Sequence, residues 1–383
     1  MSVFIRSTED RRRVVIVDFS PLAYLYAYGG SSALSATVNV GGTPTTVDTT
    51  IPAYTIKALH RWSNYGVNPL AVCFDGKGSA RSRKAYFAKH TGVKANGEPQ
   101  GYKASRDKAD TRLYEGISLT ANLLIKGGVS CYKAEMYEAD DLIKACVDRA
   151  KIDYPNLPID IITGDHDLLP LVDDQVSVFL RSRTTTYAEE KEIEKPHYVQ
   201  ITPRNYESYL SGLTAYKTIE VPYNSVLLAK LLRGDKSDEI AGKPDWKPKE
   251  YKLLLKILND RGYDLGDLFR YGSPIETVVY KSTNQPIPEE LIDSVDPAEK
   301  SIVYSEPAEL TRLCEVLSTI VEQEDIDHIR FVYNGINLNG AFTGLPDGFN
   351  RRPAKLSTPI RGYQAGILQK EVCLLNINLP QAR

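Results

Sequence analysis

Three short β-branched runs, at residues 14–18, 70–75 and 159–165, each end on an aspartate, and a further run follows at 176–180. Between them lie stretches of helical character, such as 53–65 and 140–150. Short apolar strands alternating with helices imply a mostly parallel sheet. Each parallel strand reaches its neighbour through a crossover and is buried on both faces. The expected fold class is therefore α/β, with a mostly parallel central sheet flanked by helices. Ligands of such sheets sit beyond the carboxyl ends of the strands. Asp18, Asp75 and Asp165 all fall there.

The remaining segments differ in character. Residues 29–50 are rich in Ser, Thr and Gly and read as a polar loop or hairpin. Residues 76–112 are strongly basic and show no clean apolar period, which is commonly the mark of a solvated loop. Residues 203–332 read as mainly helical, broken by a Gly- and Pro-rich passage at 240–248. From Gly335 onward Gly, Pro and Asn dominate, so irregular structure with a few short strands is expected. These features divide the chain into an α/β core over 1–200, a helical region over 201–334 and an extension over 335–383.

Lys and Arg total 47 against 49 Asp and Glu, so affinity for nucleic acid would have to come from charge segregated on the surface. The five cysteines form no C-x-x-C pair and no zinc spacing, as in a reduced cytoplasmic protein. Arg11, Arg12 and Arg13 precede only four apolar residues before Asp18, too few for a signal peptide. No segment approaches membrane-spanning length.

The acidic residues carry the strongest signal. Glu138-Ala139-Asp140-Asp141 opens a helix, where acids also favour the positive end of the helix dipole. Asp165 and Asp167 follow an apolar strand; an N-cap accounts for one acid there but not for two at i and i+2. Asp235 and Asp238 sit in Gly234-Asp235-Lys236-Ser237-Asp238-Glu239, which a turn before a capped helix would also explain. With Asp18 and Asp75 these make nine candidate ligands. Carboxylates converging on one crevice would repel and take up protons unless cations neutralised them. Oxygen donors suit magnesium or manganese, and two such ions can support phosphodiester hydrolysis.

In this order the motifs resemble the flap endonuclease and 5′→3′ exonuclease family, with a PIN-like fold, and especially bacteriophage replication nucleases of the ribonuclease H and flap endonuclease type. The matching pieces are Val-Ile-Val-Asp18, Cys-Phe-Asp75-Gly, Tyr102-Lys103-Ala-Ser-Arg106, Glu138-Ala-Asp140-Asp141, Thr-Gly-Asp165-His-Asp167-Leu-Leu and Gly-Asp235-Lys-Ser-Asp238-Glu-Ile. The resemblance implies that Asp18, Asp75, Glu138 and Asp140 hold a first magnesium ion, for which manganese can substitute. Asp141, Asp165, Asp167, Asp235 and Asp238 would hold or orient a second. It makes the basic stretch 76–112, with Arg81, Arg83 and Lys84, an arch through which a single-stranded 5′ end passes. Lys103 and Arg106 would face the scissile phosphate, and Tyr102 would stack on a base.

The implied activity is hydrolysis near a single-strand/duplex junction, leaving a 5′-phosphate, in DNA replication, primer removal or repair. Branched or 5′-ended DNA and RNA–DNA hybrids would be the substrates and a single-strand-binding protein a replication partner. The expected enzyme is a cytoplasmic monomer, in a bacterial host cell if phage-encoded. The family pattern is not followed after Ile240. The continuation through Lys243, Lys247 and Lys249 lacks the closely spaced glycines, which counts against a potassium site and the usual duplex grip, although these lysines can still meet phosphates. The competing readings are a PIN-like ribonuclease and a non-catalytic structure-specific DNA-binding protein. Residues 102–106 and 234–240 count against the first, and the complete set of acids against the second.

Overall fold

A computed structural model describes residues 12–91, 103, 111–135, 137–188, 191–212, 231–235, 238–243, 248–262, 275–283, 285–292, 294–305, 308–336 and 360–373. In chain order the elements begin β1 (Val14–Asp18), α1 (Phe19–Tyr28), β2 (Ser35–Val40), β3 (Thr43–Asp48), α2 (Thr50–Trp62), β4 (Leu70–Phe74) and α3 (Arg81–Thr91). There follow α4 (Thr111–Lys126), β5 (Ser130–Lys133), α5 (Ala139–Asp153), β6 (Ile159–Thr163), β7 (Val176–Ala188), β8 (Lys191–Ile201) and α6 (Tyr206–Gly212). Next come β9 (Gly234–Asp235), β10 (Ile240–Ala241), α7 (Pro248–Asp260), β11 (Ile275–Tyr280) and β12 (Lys300–Ser305). The helices α8 (Ala308–Leu317), α9 (Gln323–Ile336) and α10 (Ala365–Cys373) complete the series. The described residues fall into two compact units: Met1–Ser79 with Ser105–Tyr209 and Ala354–Arg383, and Ala80–Ala104 with Leu210–Pro353.

The first unit is built on a sheet in the order β5-β4-β1-β6-β7-β8, parallel except for β8. Every residue of β1, β4 and β6 is buried, which explains their largely apolar character, with Asp160 in β6 the main exception. The chain fills the sheet to one side of β1 with β4 and β5, then to the other with β6 and β7, so strand order reverses at β1. That reversal opens a crevice at the carboxyl ends of β1 and β6, and Asp18 is the last residue of β1. At the opposite end of the sheet Arg13 donates to Asp160 in β6 at 2.7 Å. Burial raises the Asp160 pKa, and the Arg13 guanidinium works against that rise. The arginine run thus contributes a side chain to the fold.

The polar stretch 29–50 forms the β2–β3 hairpin, and Gly41 and Gly42, both at positive φ, supply the two-residue turn. Helix α4 crosses α2 closely: a Cβ on Gly116 would lie 2.5 Å from the Ile51 Cδ1. Strand β7 runs on well past Leu180, paired with β8 as far as Ala188.

The tail departs from the irregular structure expected of it. Residues 360–373 form a strap that ends in α10 and completes the first unit. Leu368 and Val372 are buried, and Leu368 packs on Gly127 at the end of α4. Arg361 accepts from the Leu70 N–H at 3.1 Å, and Ile360 accepts from the Tyr154 hydroxyl at 2.5 Å. The Tyr363 hydroxyl lies 2.5 Å from His60 Nδ1 and accepts from Ser63 Oγ at 3.1 Å; burial raises its pKa to about 12.

In the second unit, α3 carries an aromatic cluster. Tyr86 stacks on Phe331 of α9 and Phe87 meets the same ring edge-on. This unit also holds strands where helix was expected. β11 and β12 pair antiparallel over Ile275–Tyr280 and Lys300–Ser305, in keeping with their β-branched Thr277, Val278, Val279, Ile302 and Val303.

Candidate active site

In the first unit the acids gather at the carboxyl end of the sheet. Asp18 pairs in register with Cys73, two residues before Asp75, so adjacent strands present the two acids side by side. Asp18 accepts from Thr163 Oγ1 at 2.8 Å, and the same hydroxyl oxygen accepts from the Asp165 N–H at 2.9 Å. Asp75 accepts from Ser20 Oγ at 2.5 Å and from the Ala139 N–H at 2.9 Å, which ties it to the start of α5. Nothing in the sequence marks out Ser20 and Thr163. Hydroxyl residues two from an acid are too common to stand out.

Glu138 is the residue before α5, and its N–H donates to the Asp141 carboxylate at 2.8 Å, as in a capping box. Asp141 is buried, and this bond fixes the turn that opens α5. Asp165 caps the short 3-10 turn His166–Leu171 by accepting from the Asp167 N–H at 2.9 Å. Gly76 approaches the loop leading into α5 so closely that a Cβ would lie 1.6 Å from the Ala134 carbonyl oxygen. Only glycine fits there.

Electrostatics mark this cluster as self-repelling. Asp18 is 3% exposed, and its pKa is pushed up to about 8. Burial is the largest cause; the neighbouring Asp75 and Asp165 add to it, against the lowering effect of the Thr163 hydroxyl. A buried carboxylate facing two further carboxylates calls for positive charge, and an all-oxygen donor set fits a hard divalent cation.

In the second unit, Gly234–Asp235 and Ile240–Ala241 form a tight antiparallel pair whose connecting turn carries Asp238. The Asp238 N–H points to Asp235 Oδ1 at 3.4 Å. Lys103 lies against this turn: its N–H donates to the Asp238 carbonyl at 2.9 Å and its Nζ is 4.0 Å from Asp238 Oδ1.

The expected phosphate contacts are placed unevenly. Tyr102, Arg106 and Lys247 lie outside the described residues. Arg81 and Lys249 are exposed and Lys84 is half-buried. Arg83 is buried on the inward face of α3, one turn from buried Phe87, and so does not face solvent. Lys243 is ion-paired with Glu324 at 2.9 Å and Asp325 at 3.3 Å, so a phosphate would have to compete with two acids for it.

Comparison with known proteins bears on the first half of the chain. Residues 13–197 match the model of the 5′-3′ exonuclease N-terminal, resolvase-like domain. This segment is similar to that domain. Among curated relatives, DNA polymerase I of Bacillus subtilis is 28% identical over 247 residues, 64% of this chain and 23% of that protein. A 5′-3′ exonuclease of Mycoplasma genitalium is 32% identical over 149 residues, 37% of this chain and 42% of that one. The chain thus spans under a quarter of the polymerase and under half of the exonuclease. Among solved structures, the T5 D15 protein co-crystallized with metal ions is similar at a TM-score of 0.45 and 14% identity, over 85% of this chain and 99% of that one. A T5 D15 flap endonuclease pseudo-enzyme-product complex with DNA and metal ions scores 0.44 at 14% identity, over 95% and 99%. Among the described residues no helix is long and apolar enough to cross a membrane.

Proposed function

We propose that this protein is a divalent-metal-dependent, structure-selective 5′-nuclease that hydrolyses phosphodiester bonds in branched or 5′-ended DNA and RNA–DNA hybrids. The observation that carries the reading is Asp18. It is buried at the point where strand order reverses, with Asp75 and Asp165 beside it and its pKa driven to about 8, within a segment that matches the exonuclease domain.

Asp18, Asp75, Glu138 and Asp140 would hold the first ion, Asp165 and Asp167 would contribute to the second, and Asp235 and Asp238 would also serve as metal ligands. Magnesium, or manganese in its place, supplies an activated water and stabilises charge on the phosphate oxygens when bound. The protein's own groups do the placing. Thr163 fixes one oxygen of Asp18, while Ser20 and the Ala139 N–H fix both oxygens of Asp75. Asp141 sets the turn that projects Glu138 and Asp140. Lys103, and Arg106 beside it in sequence, would donate to the phosphate oxygens as negative charge builds there. Lys249 and Arg81, both exposed, would meet the backbone of the bound strand. The enzyme would act as a monomer on replication intermediates, alongside a single-strand-binding protein.

Digestion of 5′-labelled flap, nicked, single-stranded and RNA–DNA hybrid substrates, with magnesium, with manganese and with chelator, tests the substrate class. Flap or 5′-ended substrates should be cut in either metal and not in chelator, giving 5′-phosphate products. Cleavage confined to single-stranded RNA would favour a PIN-like ribonuclease. Tight binding of branched DNA with no cleavage in any metal would favour a binding protein.

A further inference from the structure

Lys103 is assigned to the phosphate, yet in this structure its ammonium faces a carboxylate. The Lys103 N–H donates to the Asp238 carbonyl at 2.9 Å, and its Nζ stands 4.0 Å from Asp238 Oδ1. Both side chains are largely withdrawn from water, at 14% and 9% exposure. The backbone on each side of the contact is unusual: Lys103 has φ 49° and Glu239, next to Asp238, has φ 58°. Non-glycine residues rarely adopt this left-handed conformation, and the main-chain hydrogen bond joins one of them, Lys103, to Asp238, the residue before the other, which marks a specific docking. The same turn directs the Asp238 N–H at Asp235 Oδ1, so Asp235, Asp238 and Lys103 form one connected group.

We propose that Asp238 is a positioning residue for Lys103, and that a divalent cation taken up by Asp235 and Asp238 displaces the Lys103 ammonium and releases it towards substrate. This inference rests on the reading of Lys103 as the phosphate-facing cation. Two attachments with different fates make the exchange workable. The main-chain bond to the Asp238 carbonyl does not involve the carboxylate, so residue 103 stays docked when a metal arrives. The side-chain pair is the labile one, because 4.0 Å is beyond a hydrogen bond and a small doubly charged ion competes well for carboxylate oxygen. Without metal, the ammonium offsets charge on the acidic turn. With metal, that task passes to the ion, and the ammonium of a lysine held at the same place can turn to a phosphate oxygen. The cation would thereby couple filling of the metal site to arming of Lys103.

Calorimetric titration of Mn2+ into the full chain, in the absence of nucleic acid, reads this competition directly. Lys103→Met removes the charge and keeps the length, and should tighten binding of one ion by roughly 3- to 10-fold, as expected for loss of a partly screened competing charge. Lys103→Arg keeps the cation and should bind Mn2+ as the wild type does, and it also checks that residue 103 tolerates replacement. In an Asp238→Asn background the Lys103→Met effect should shrink to below about twofold, because the shared carboxylate is gone. Unchanged affinity in Lys103→Met, or the same tightening with and without Asp238, would overturn the proposal, since the lysine would then act at a distance or not at all. Coupling in a protein that cuts no flap would leave the exchange standing and remove the nuclease reading. Flap cleavage without coupling would do the reverse.

Discussion

Replacing Asp18 by asparagine should stabilise the metal-free protein and abolish the response of its stability to metal. The Asp18 carboxyl is 3% exposed and its pKa stands at about 8 against an ordinary 3.8. Below about pH 4 such a group is protonated in the folded and unfolded states alike and carries no penalty. As pH rises from about 4 to about 8, the unfolded chain ionises freely and the folded one resists, so stability is lost across that window. This is the opposite sign from a salt-bridged aspartate. At ~1.4 kcal/mol per pH unit, and tapering as the folded group begins to ionise, the loss between about pH 5 and pH 8 is ~3 kcal/mol. Asparagine keeps an oxygen for the Thr163 hydroxyl and has no proton to lose. Urea unfolding in chelator at the two pH values should therefore show the wild type falling by ~3 kcal/mol relative to the variant. Magnesium at pH 8 should restore most of that loss in the wild type and do little for the variant. A wild type whose stability relative to the variant is the same at both pH values refutes the view that repulsion stored at Asp18 awaits a cation.

Two further outcomes follow from the packing of the first unit. Gly76→Ala should lower thermal stability and weaken Mn2+ binding together, because a Cβ set 1.6 Å from the Ala134 carbonyl forces apart Asp75 and the loop leading to Glu138; unchanged metal affinity would separate this glycine from the site. Leu368→Ala should cost about 2–5 kcal/mol of unfolding free energy and Tyr363→Phe about 1–3 kcal/mol, since the first empties a buried position and the second leaves His60 and Ser63 without their shared hydroxyl; denaturation that left either variant as stable as the wild type would show the strap to be dispensable.

The parts of the molecule that are legible in the sequence are those governed by short-range periodicity. Parallel strands buried on both faces leave near-continuous apolar runs, so the residues alone place β1, β4 and β6 and the acids at their ends. Likewise the Ser-, Thr- and Gly-rich stretch 29–50 reads as a polar loop or hairpin, and a hairpin is what forms. The strap at 360–373 is illegible because its partners are remote: Tyr363 meets His60 across 303 positions, and neither residue is unusual in its own neighbourhood. Arg83 is misleading for a different reason. A charge run has no direction until a helix gives it one, and α3 turns Arg83 inward with Phe87 while Arg81 stays in solvent. The acid motifs carry more than one role each, which sequence alone does not divide. Asp141 caps a helix and Asp165 caps a 3-10 turn, so some acids that resemble ligands also build the scaffold that presents the others.

The central claim is that the gathered acids serve phosphodiester hydrolysis and not folding alone. Single-turnover cleavage of a 5′-labelled flap by wild type, Asp140→Asn and Asp165→Asn, with flap binding measured in parallel, tests it most directly. Both variants should fold, bind the flap at least as tightly as the wild type because negative charge facing the phosphates is reduced, and fail to cut it in magnesium. Cleavage at the wild-type rate by either folded variant would contradict the assignment of these carboxylates to the metal-dependent step.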